Sequence, residues 1–186
     1  MVIGIIIVFV LILLVFFVIA KYNKLVTLRQ KVRNAWSQID VQLQRRFDLI
    51  PNLIETVKGY MEHESGVLEK IAELRTSWAN AQTVADKVNL DNQLSESLKT
   101  IMAVAENYPD LKANQNFMSL QNELTNTEDK ISYSRQFYND IVTKFNTELE
   151  VFPTNIIASI FGFKAEELFK VDSEEARKNV KVDFSK

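Results

Sequence analysis

The chain contains no cysteine, four glycines, three prolines and one histidine among its 186 residues. Without cysteine it forms neither a disulfide framework nor a thiolate site. The small number of glycines and prolines favours long helices over a turn-rich β fold, and no glycines cluster into a phosphate-binding loop. The single histidine, His63, stands between Glu62 and Glu64. Neighbouring residues on a helix project about 100° apart, so these three side chains do not converge on a metal ion without irregular backbone.

Other signatures of catalysis are missing as well. A lone histidine at a helix end gives no credible Ser–His–Asp site, and a di-iron bundle needs two Glu-x-x-His motifs, of which the chain has none because position 60 is Tyr60. We therefore expect no enzyme activity, no cofactor and no bound metal. The formal net charge of −2 speaks against a nucleic-acid partner.

What the sequence does contain is a long apolar run, Val2–Ala20, with no polar side chain. As a helix it is about 28 Å long, enough to cross the hydrocarbon of a bilayer. The alternatives are a buried core helix and a cleaved signal peptide. A core helix would carry some polar positions, and a signal peptide would begin with basic residues, although Val18–Ala20 is compatible with a cleavage site. We interpret the run as a transmembrane anchor.

The residues after the run are strongly basic. Seven lysines and arginines, with Asp40 as the only acidic residue, lie between Lys21 and Arg46. Basic residues next to a span predict a single-pass protein of the cell membrane with a cytoplasmic C-terminal domain. They also fit contacts with anionic lipid headgroups, although a solvated helix face is equally compatible. The juxtamembrane basic residues are Lys21, Lys24, Arg29, Lys31 and Arg33.

Apolar residues at steps of three and four predict an all-α fold, in which the transmembrane helix continues into an antiparallel four-helix bundle with two long and two short helices. The first helix runs to about Glu62 with a kink at Phe47–Pro51, and Gly66 marks a turn. The other helices are expected at about 66–82, 86–107 and 111–151. The predicted domains are the anchor (1–20), the bundle (21–170) and a charged tail (171–186) that is expected to be frayed or disordered.

The two long helices have similar lengths, so the second should return to the membrane. This places a membrane-proximal apolar segment beside the anchor, and its main residues are Ile156, Ile157, Ile160, Phe161 and Phe163. The short helices cover only the distal half of the bundle. The membrane-proximal half is then a coiled-coil-like pair of helices whose apolar stripes need a cover: the C-terminal segment, another subunit or lipid.

Placing Glu62 level with Lys112 also gives a register for the two long helices. In this register, opposite charges face each other at four places, which predicts inter-helix polar pairs that fix the register more than they add stability. The predicted pairs are Arg46–Glu128, Arg45–Asp129, Asp40–Arg135 and Arg33–Asp140.

Several segments resemble the LemA family of bacterial membrane proteins. The similarity extends from Tyr22 to about Phe169, and its segments are long enough to be specific. They include Tyr22–Val26 (YNKLV), Ala35–Leu43 (AWSQIDVQL), Arg45–Leu53 (RRFDLIPNL), Glu55–Tyr60 (ETVKGY), Glu106–Ala113 (ENYPDLKA), Thr127–Ile131 (TEDKI), Arg135–Asp140 (RQFYND) and Phe152–Ala158 (FPTNIIA).

The resemblance implies one N-terminal span, a very short extracytoplasmic N-tail and a cytoplasmic antiparallel helical bundle, but no known activity. It also implies a membrane-organising role, because one relative takes part in building magnetosome membranes. From these observations we expect a membrane-anchored scaffold that forms homo-oligomers, contacts membrane lipid, and organises or shapes membrane or envelope proteins. The alternative is a monomeric adaptor that docks one membrane protein partner, such as a protease or a sensor.

Overall fold

A computed structural model describes residues 1–61 and 65–169. Within these ranges the protein is all-helical, and the helices are joined by turns. His63 with its two glutamates and the predicted tail at 171–186 lie outside the described residues. The helices are α1 (Val2–Asp48), α2 (Ile50–Lys58), α3 (Ser65–Asn80), α4 (Val84–Ala105), α5 (Pro109–Lys112), α6 (Gln115–Glu150) and α7 (Thr154–Ile160).

The chain divides into two compact units, which we describe one at a time. The first comprises Met1–Leu49 and Leu120–Leu168, and therefore contains α1, most of α6 and α7. The second comprises the described residues of Ile50–Ser119 together with Phe169. The predicted assembly of four helices into one bundle stays a prediction.

In the first unit, α1 is apolar on every side over the N-terminal run and amphipathic after it. Apart from the half-buried Val18, the side chains of the run are exposed, and it is the one stretch in the described chain that is long and apolar enough to cross a membrane. Beyond the run, one stripe of α1 is buried at helical spacing. The buried stripe consists of Leu25, Val32, Ala35, Ile39, Leu43, Arg46 and Phe47.

Helix α1 ends just before Leu49, within the predicted kink region. The Leu49 amide bonds to the carbonyls of Arg46 and Phe47 rather than making the α-helical bond to Arg45. Pro51 follows as the second residue of α2, a position where its missing N–H breaks no hydrogen bond of that helix. Proline is therefore tolerated, because the chain starts a new helix just before it.

In the second unit, α2 and α4 pack against α3, and α5 packs against α4. The apolar core of this unit includes Leu53, Ile71, Trp78, Leu94 and Ile101. Two boundaries differ from the sequence prediction. The first long stretch ends at Lys58 rather than about Glu62, with a turn at Gly59–Tyr60, and Gly66 is helical rather than the turn residue.

The first residues of two helices were predicted less well. A polar side chain caps each of these helices, and the cap lies before or after the residue at which the apolar pattern begins. Thr83 caps α4, since its hydroxyl oxygen accepts from the Asp86 amide at 3.0 Å. The start of α6 is Gln115 rather than about 111, because Asn114 accepts from the Phe117 amide at 3.2 Å. Before it, Pro109 begins the one-turn helix α5.

Candidate functional site

The most deeply buried charge on α1 is Arg46, which faces α6. Arg46 is 4% exposed, and its Nη1 lies 2.8 Å from the Oε2 of Glu128. The Glu128 side chain is 42% exposed, so one partner is buried and the other remains in contact with water. An ion pair with one buried partner favours the register of the two helices that keeps these charges together.

Arg45, the neighbouring residue, does not follow the predicted pairing with Asp129. Its Nη2 lies 2.6 Å from the Oε2 of Glu123, and both side chains are about half exposed. Residue height along the helix does not specify direction around it, because consecutive helical residues project about 100° apart. Arg46 therefore takes the buried position, and Arg45 reaches sideways to a different turn of α6.

The other two predicted pairs have different outcomes. Asp40 and Arg135 are both half-buried, and each is engaged in an interaction. Arg33 and Asp140 are exposed, and within the described part of the chain they form no ion pair. The helix surface turns both of them toward solvent, where a pair contributes little.

An aromatic contact fixes the same register further along the seam. The rings of Trp36 and Tyr138 pack edge to face with centroids 6.0 Å apart. The step from Arg46 to Trp36 on α1 equals the step from Glu128 to Tyr138 on α6. The two contacts therefore belong to one antiparallel alignment.

The end of the apolar run meets the segment after α6. Tyr22, two residues after Ala20, has its ring centroid 4.7 Å from that of Phe161 and 5.8 Å from that of Phe163. Phe163 also packs 6.5 Å from Phe145, and Arg29 stacks over it at 5.0 Å. The Ile156–Phe163 segment thus lies at the point where the run ends.

Helix α7 presents two different faces. Ile157 and Ala158 are buried, and α7 packs against α1. Ile156, Ile160 and Phe161 are exposed, at 51%, 73% and 52%. An exposed face built from large apolar side chains is unusual in a helix that meets only water.

A glycine turn at the end of α7 directs the chain back along α6. Gly162 has a φ of +69°, the left-handed conformation that ends helices and that glycine adopts without strain. Its N–H donates to the Ser159 carbonyl at 3.3 Å, and the Phe163 N–H donates to the Ala158 carbonyl at 3.0 Å. These two bonds form a Schellman motif, which delivers Phe163 to the aromatic cluster.

The residues after this turn form a strap over α6, which we define as residues 164–168. The Asn146 side chain donates to the Glu166 carbonyl at 2.9 Å and accepts from the Glu166 amide at 3.0 Å. Tyr138 donates its hydroxyl to the Glu167 carbonyl at 3.0 Å. Burial, and then the charges of Glu166 and Glu167, raise the pKa of the Tyr138 phenol above its ordinary value of 10.0.

The strap therefore covers part of α6 next to Tyr138, and the sequence predicts a cover by the C-terminal segment only as one of three alternatives. Its anchor, Asn146, gave no signal because a single asparagine on a long polar helix face is common. The two features that hinted at it were Gly162, which suits a reversal, and Tyr138, whose buried hydroxyl needs a partner.

The juxtamembrane basic residues divide into two groups. Lys24 forms an ion pair with Glu148, and the half-buried Arg29 stacks on Phe163. Lys31 and Arg33 are exposed, and Lys21 lies 5.7 Å over the ring of Phe17. Three of the five basic residues, Lys21, Lys24 and Arg29, thus contact other side chains of the protein.

A shallow groove lies between α1 and α6 on one side of the seam. It has a volume of about 580 Å³, and its two large apolar residues, Val41 and Tyr133, are 63% and 73% exposed. On a wheel of 100° per residue, Tyr133 projects about 140° to one side of Tyr138, and Asn146 about 80° to the other. The groove residues are Ser37, Gln38, Val41, Gln42, Asp129, Lys130, Tyr133 and Ser134.

No group of three or more histidine, cysteine or acidic side chains is arranged to hold a metal ion within residues 1–61 and 65–169.

Comparisons with known proteins give one family and several relatives. The LemA family model matches residues 35–184. Protein LemA of Metamycoplasma hominis is 28% identical over 164 residues, which is 84% of this chain and 75% of that protein. Magnetosome protein MamQ 2 of Paramagnetospirillum magneticum is 24% identical over 81% of this chain and 65% of its own length. Magnetosome protein MamQ of Magnetospirillum gryphiswaldense is 22% identical over 80% of this chain. This chain spans 64–65% of the length of these magnetosome proteins.

Proposed function

The chain belongs to the LemA family, and we propose that it is a membrane-anchored scaffold that self-assembles side by side in the cytoplasmic membrane and organises or shapes membrane or envelope proteins. The Val2–Ala20 run is the anchor in this proposal, and the remainder of the chain is cytoplasmic. The names of the magnetosome relatives favour a membrane-associated role. The observation that carries the assembly is the exposed groove between α1 and α6.

A second copy of the chain is the occupant that suits this groove best. Asp129 and Lys130 both line it and project about 100° apart, so two grooves that face each other bring each aspartate toward the partner's lysine. Between these charges, Val41 and Tyr133 supply the apolar contact. A self-complementary patch of this kind is what an isologous dimer interface requires.

Anchoring in a membrane makes such a contact geometrically simple. Every copy leaves the bilayer in the same direction, so the groove of each copy lies at the same height above the membrane. A two-fold axis along the membrane normal then brings groove to groove without tilting either anchor. Confinement to two dimensions also raises the effective concentration of the partner.

Cysteine cross-linking in membranes tests this proposal, because the chain has no native cysteine. In Tyr133→Cys, a bis-maleimide about 10 Å long, roughly the spacing of two packed helices, should give a covalent dimer. The matched control is Ser132→Cys, which is exposed and at the same height but projects about 100° around the helix. Equal cross-linking of the two variants, or none in either, would contradict assembly through the groove.

The adaptor hypothesis predicts a different result for the same variants. An adaptor would remain a monomer, and Tyr133→Cys would cross-link to a single membrane protein in a saturable one-to-one complex. Mass photometry of the detergent-solubilised protein separates the two hypotheses, since the scaffold should give at least a dimer.

The cytoplasmic orientation has its own test. Lysines and arginines remain on the side of the membrane where the chain is made, so protease should digest the region after Lys21 in inverted vesicles and leave it intact in right-side-out vesicles. The reverse pattern would refute the orientation and leave the assembly proposal standing.

A further inference from the structure

We propose that α7 lies in the interfacial layer of the bilayer, with its exposed face against lipid. This inference rests on the membrane anchoring in the proposed function, but not on self-assembly. Its occupant is the lipid of the leaflet where the apolar run ends, and its contact residues are Phe152, Ile156, Ile160 and Phe161.

Helix α7 ends next to the end of the apolar run. Phe161 packs against Tyr22, and Tyr22 follows the apolar run by two residues. One helical turn covers about 5.4 Å, so the α7 end of the segment lies within about one turn of the end of the hydrocarbon span. Tyr22 is of a residue type enriched at the membrane–water interface, and phenylalanine is common on the apolar face of helices that lie in this interface.

One face of α7 and the preceding Phe152 leave large apolar side chains exposed. Ile160 and Phe152 are 73% and 79% exposed, although α7 buries Ile157 and Ala158 on its other face. Helix α7 is therefore fixed to the protein on one side and presents large apolar side chains on the other. Because α7 lies beside the end of the exposed apolar run, its exposed face extends the surface that the run presents to lipid.

The segment that contains α7 carries no charged side chain. Residues 151–163 contain no aspartate, glutamate, lysine or arginine, whereas charged residues make up 25% of the chain. The polar residues within this stretch, Thr154, Asn155 and Ser159, are uncharged and suit the headgroup region. Charge returns at Lys164, where the strap leaves the span and follows α6. A face that met water or a charged protein surface would not need this thirteen-residue interval without charge.

The shape of the turn after α7 supports the same placement. The Schellman motif at Gly162 leaves Phe163 half-buried against Tyr22, Phe145 and Arg29. Phe161 also packs on Tyr22 but is 52% exposed. Of the two phenylalanines, Phe161 is therefore the one that keeps a free surface for the proposed lipid contact.

Depth-dependent fluorescence quenching tests the inference on the full-length protein. Single cysteines are introduced by Ile160→Cys, Val10→Cys and Ser132→Cys, labelled with the environment-sensitive dye NBD, and reconstituted in phosphatidylcholine–phosphatidylglycerol vesicles. Val10 lies within the apolar run and Ser132 is an exposed position far from it along α6. All three side chains are exposed, so none of the substitutions removes a core contact.

If α7 lies about 5–10 Å into the interface, a lipid with a nitroxide high on its acyl chain should quench the label at position 160 roughly threefold more than the label at 132. Aqueous iodide should show the opposite order. A label at 160 that iodide quenches as strongly as the label at 132 would overturn the inference. A label protected from both quenchers would overturn it too, because protein rather than lipid would then cover α7.

The label at position 10 separates the two proposals. If lipid quenches it but not the label at 160, the anchor stands and the α7 inference fails. If lipid quenches neither label, the anchoring in the proposed function fails as well. Circular dichroism of each variant checks that the helical content is unchanged.

Discussion

The pair of Arg46 and Glu128 should respond very differently to the loss of each partner. The Arg46 side chain is 5% exposed and that of Glu128 is 42% exposed, with 2.8 Å between Nη1 and Oε2. Glu128→Gln leaves the arginine in place and removes the opposite charge beside it. Arg46→Met removes the buried charge, fills its space with an apolar chain and leaves a glutamate that water already reaches.

The exposures set the expected magnitudes. Exposed ion pairs contribute about 0.2–1 kcal/mol, and breaking a fully buried pair costs about 3–5 kcal/mol. With one partner buried and one half exposed, Glu128→Gln should lower the free energy of unfolding by about 1–2 kcal/mol. Replacing a buried charge by a well-packed apolar group is often neutral or stabilising, so Arg46→Met should change the free energy of unfolding by less than about 0.5 kcal/mol.

The chain supplies a matched control in the next residue. Arg45 and Glu123 lie on the same two helices, and their side chains are 48% and 46% exposed. Glu123→Gln should therefore cost under about 1 kcal/mol, and this cost should shrink at high salt because exposed charges are screened.

Urea unfolding of the full-length protein in one detergent, followed by circular dichroism, measures all three variants under the same conditions. For a chain of this size, 1 kcal/mol corresponds to about 2–4 °C in melting temperature, which gives a second readout. A cost for Arg46→Met equal to that for Glu128→Gln would refute the reasoning, as would equal costs for Glu128→Gln and Glu123→Gln.

Three further predictions concern the turn and the strap. Gly162→Ala should lower the free energy of unfolding by about 1–2 kcal/mol, because the left-handed φ is strained for alanine and no neighbouring atom adds a clash. Gly59→Ala is the control, since Gly59 has the same open surroundings and no positive φ. It should be nearly neutral in the same urea experiment. Asn146→Ala removes both hydrogen bonds to Glu166, so amides of the strap should exchange with deuterium faster while those of α3 do not change; unchanged strap exchange would contradict the role of Asn146. The raised pKa of Tyr138 means that the folded state holds this proton more tightly, so its contribution to stability is complete below pH 10 and is lost as the pH rises through the folded pKa. The 295 nm titration of the native protein minus that of Tyr138→Phe should therefore have a midpoint above 10, and a midpoint at or below 10 would refute the burial argument.

The sequence predicted well those features that depend on helical periodicity. The long apolar helix over Val2–Ala20 was predicted from length and composition alone. The pairing of Arg46 with Glu128 followed from two long helices of similar length. Phe161 beside Tyr22 follows from the same lengths. In each case the spacing along one helix limits the answer, because 1.5 Å per residue converts residue number into height.

Features that depend on a single polar side chain could not be predicted. Thr83 and Asn114 move the starts of α4 and α6 by their capping bonds, which outweigh the apolar pattern locally. Arg45 pairs with Glu123 because a flexible side chain reaches across turns, and residue height alone does not specify direction around the helix. Asn146 binds the strap through backbone atoms of Glu166, and backbone groups carry no sequence signature.

The strap and the groove together limit the assembly that the first unit supports. The strap is bound on the Asn146 side of α6, which leaves the Tyr133 side as the lateral surface available for the proposed contact in the described part of this unit. An isologous contact through one surface closes at two copies, and it gives neither a ring nor a lattice. A scaffold of higher order therefore needs a second contact elsewhere, and mass photometry of the detergent-solubilised protein distinguishes the cases. If it gives dimers and no larger species at any protein density, the groove is a closed interface, and wider organisation of the membrane depends on partners or on lipid held by α7.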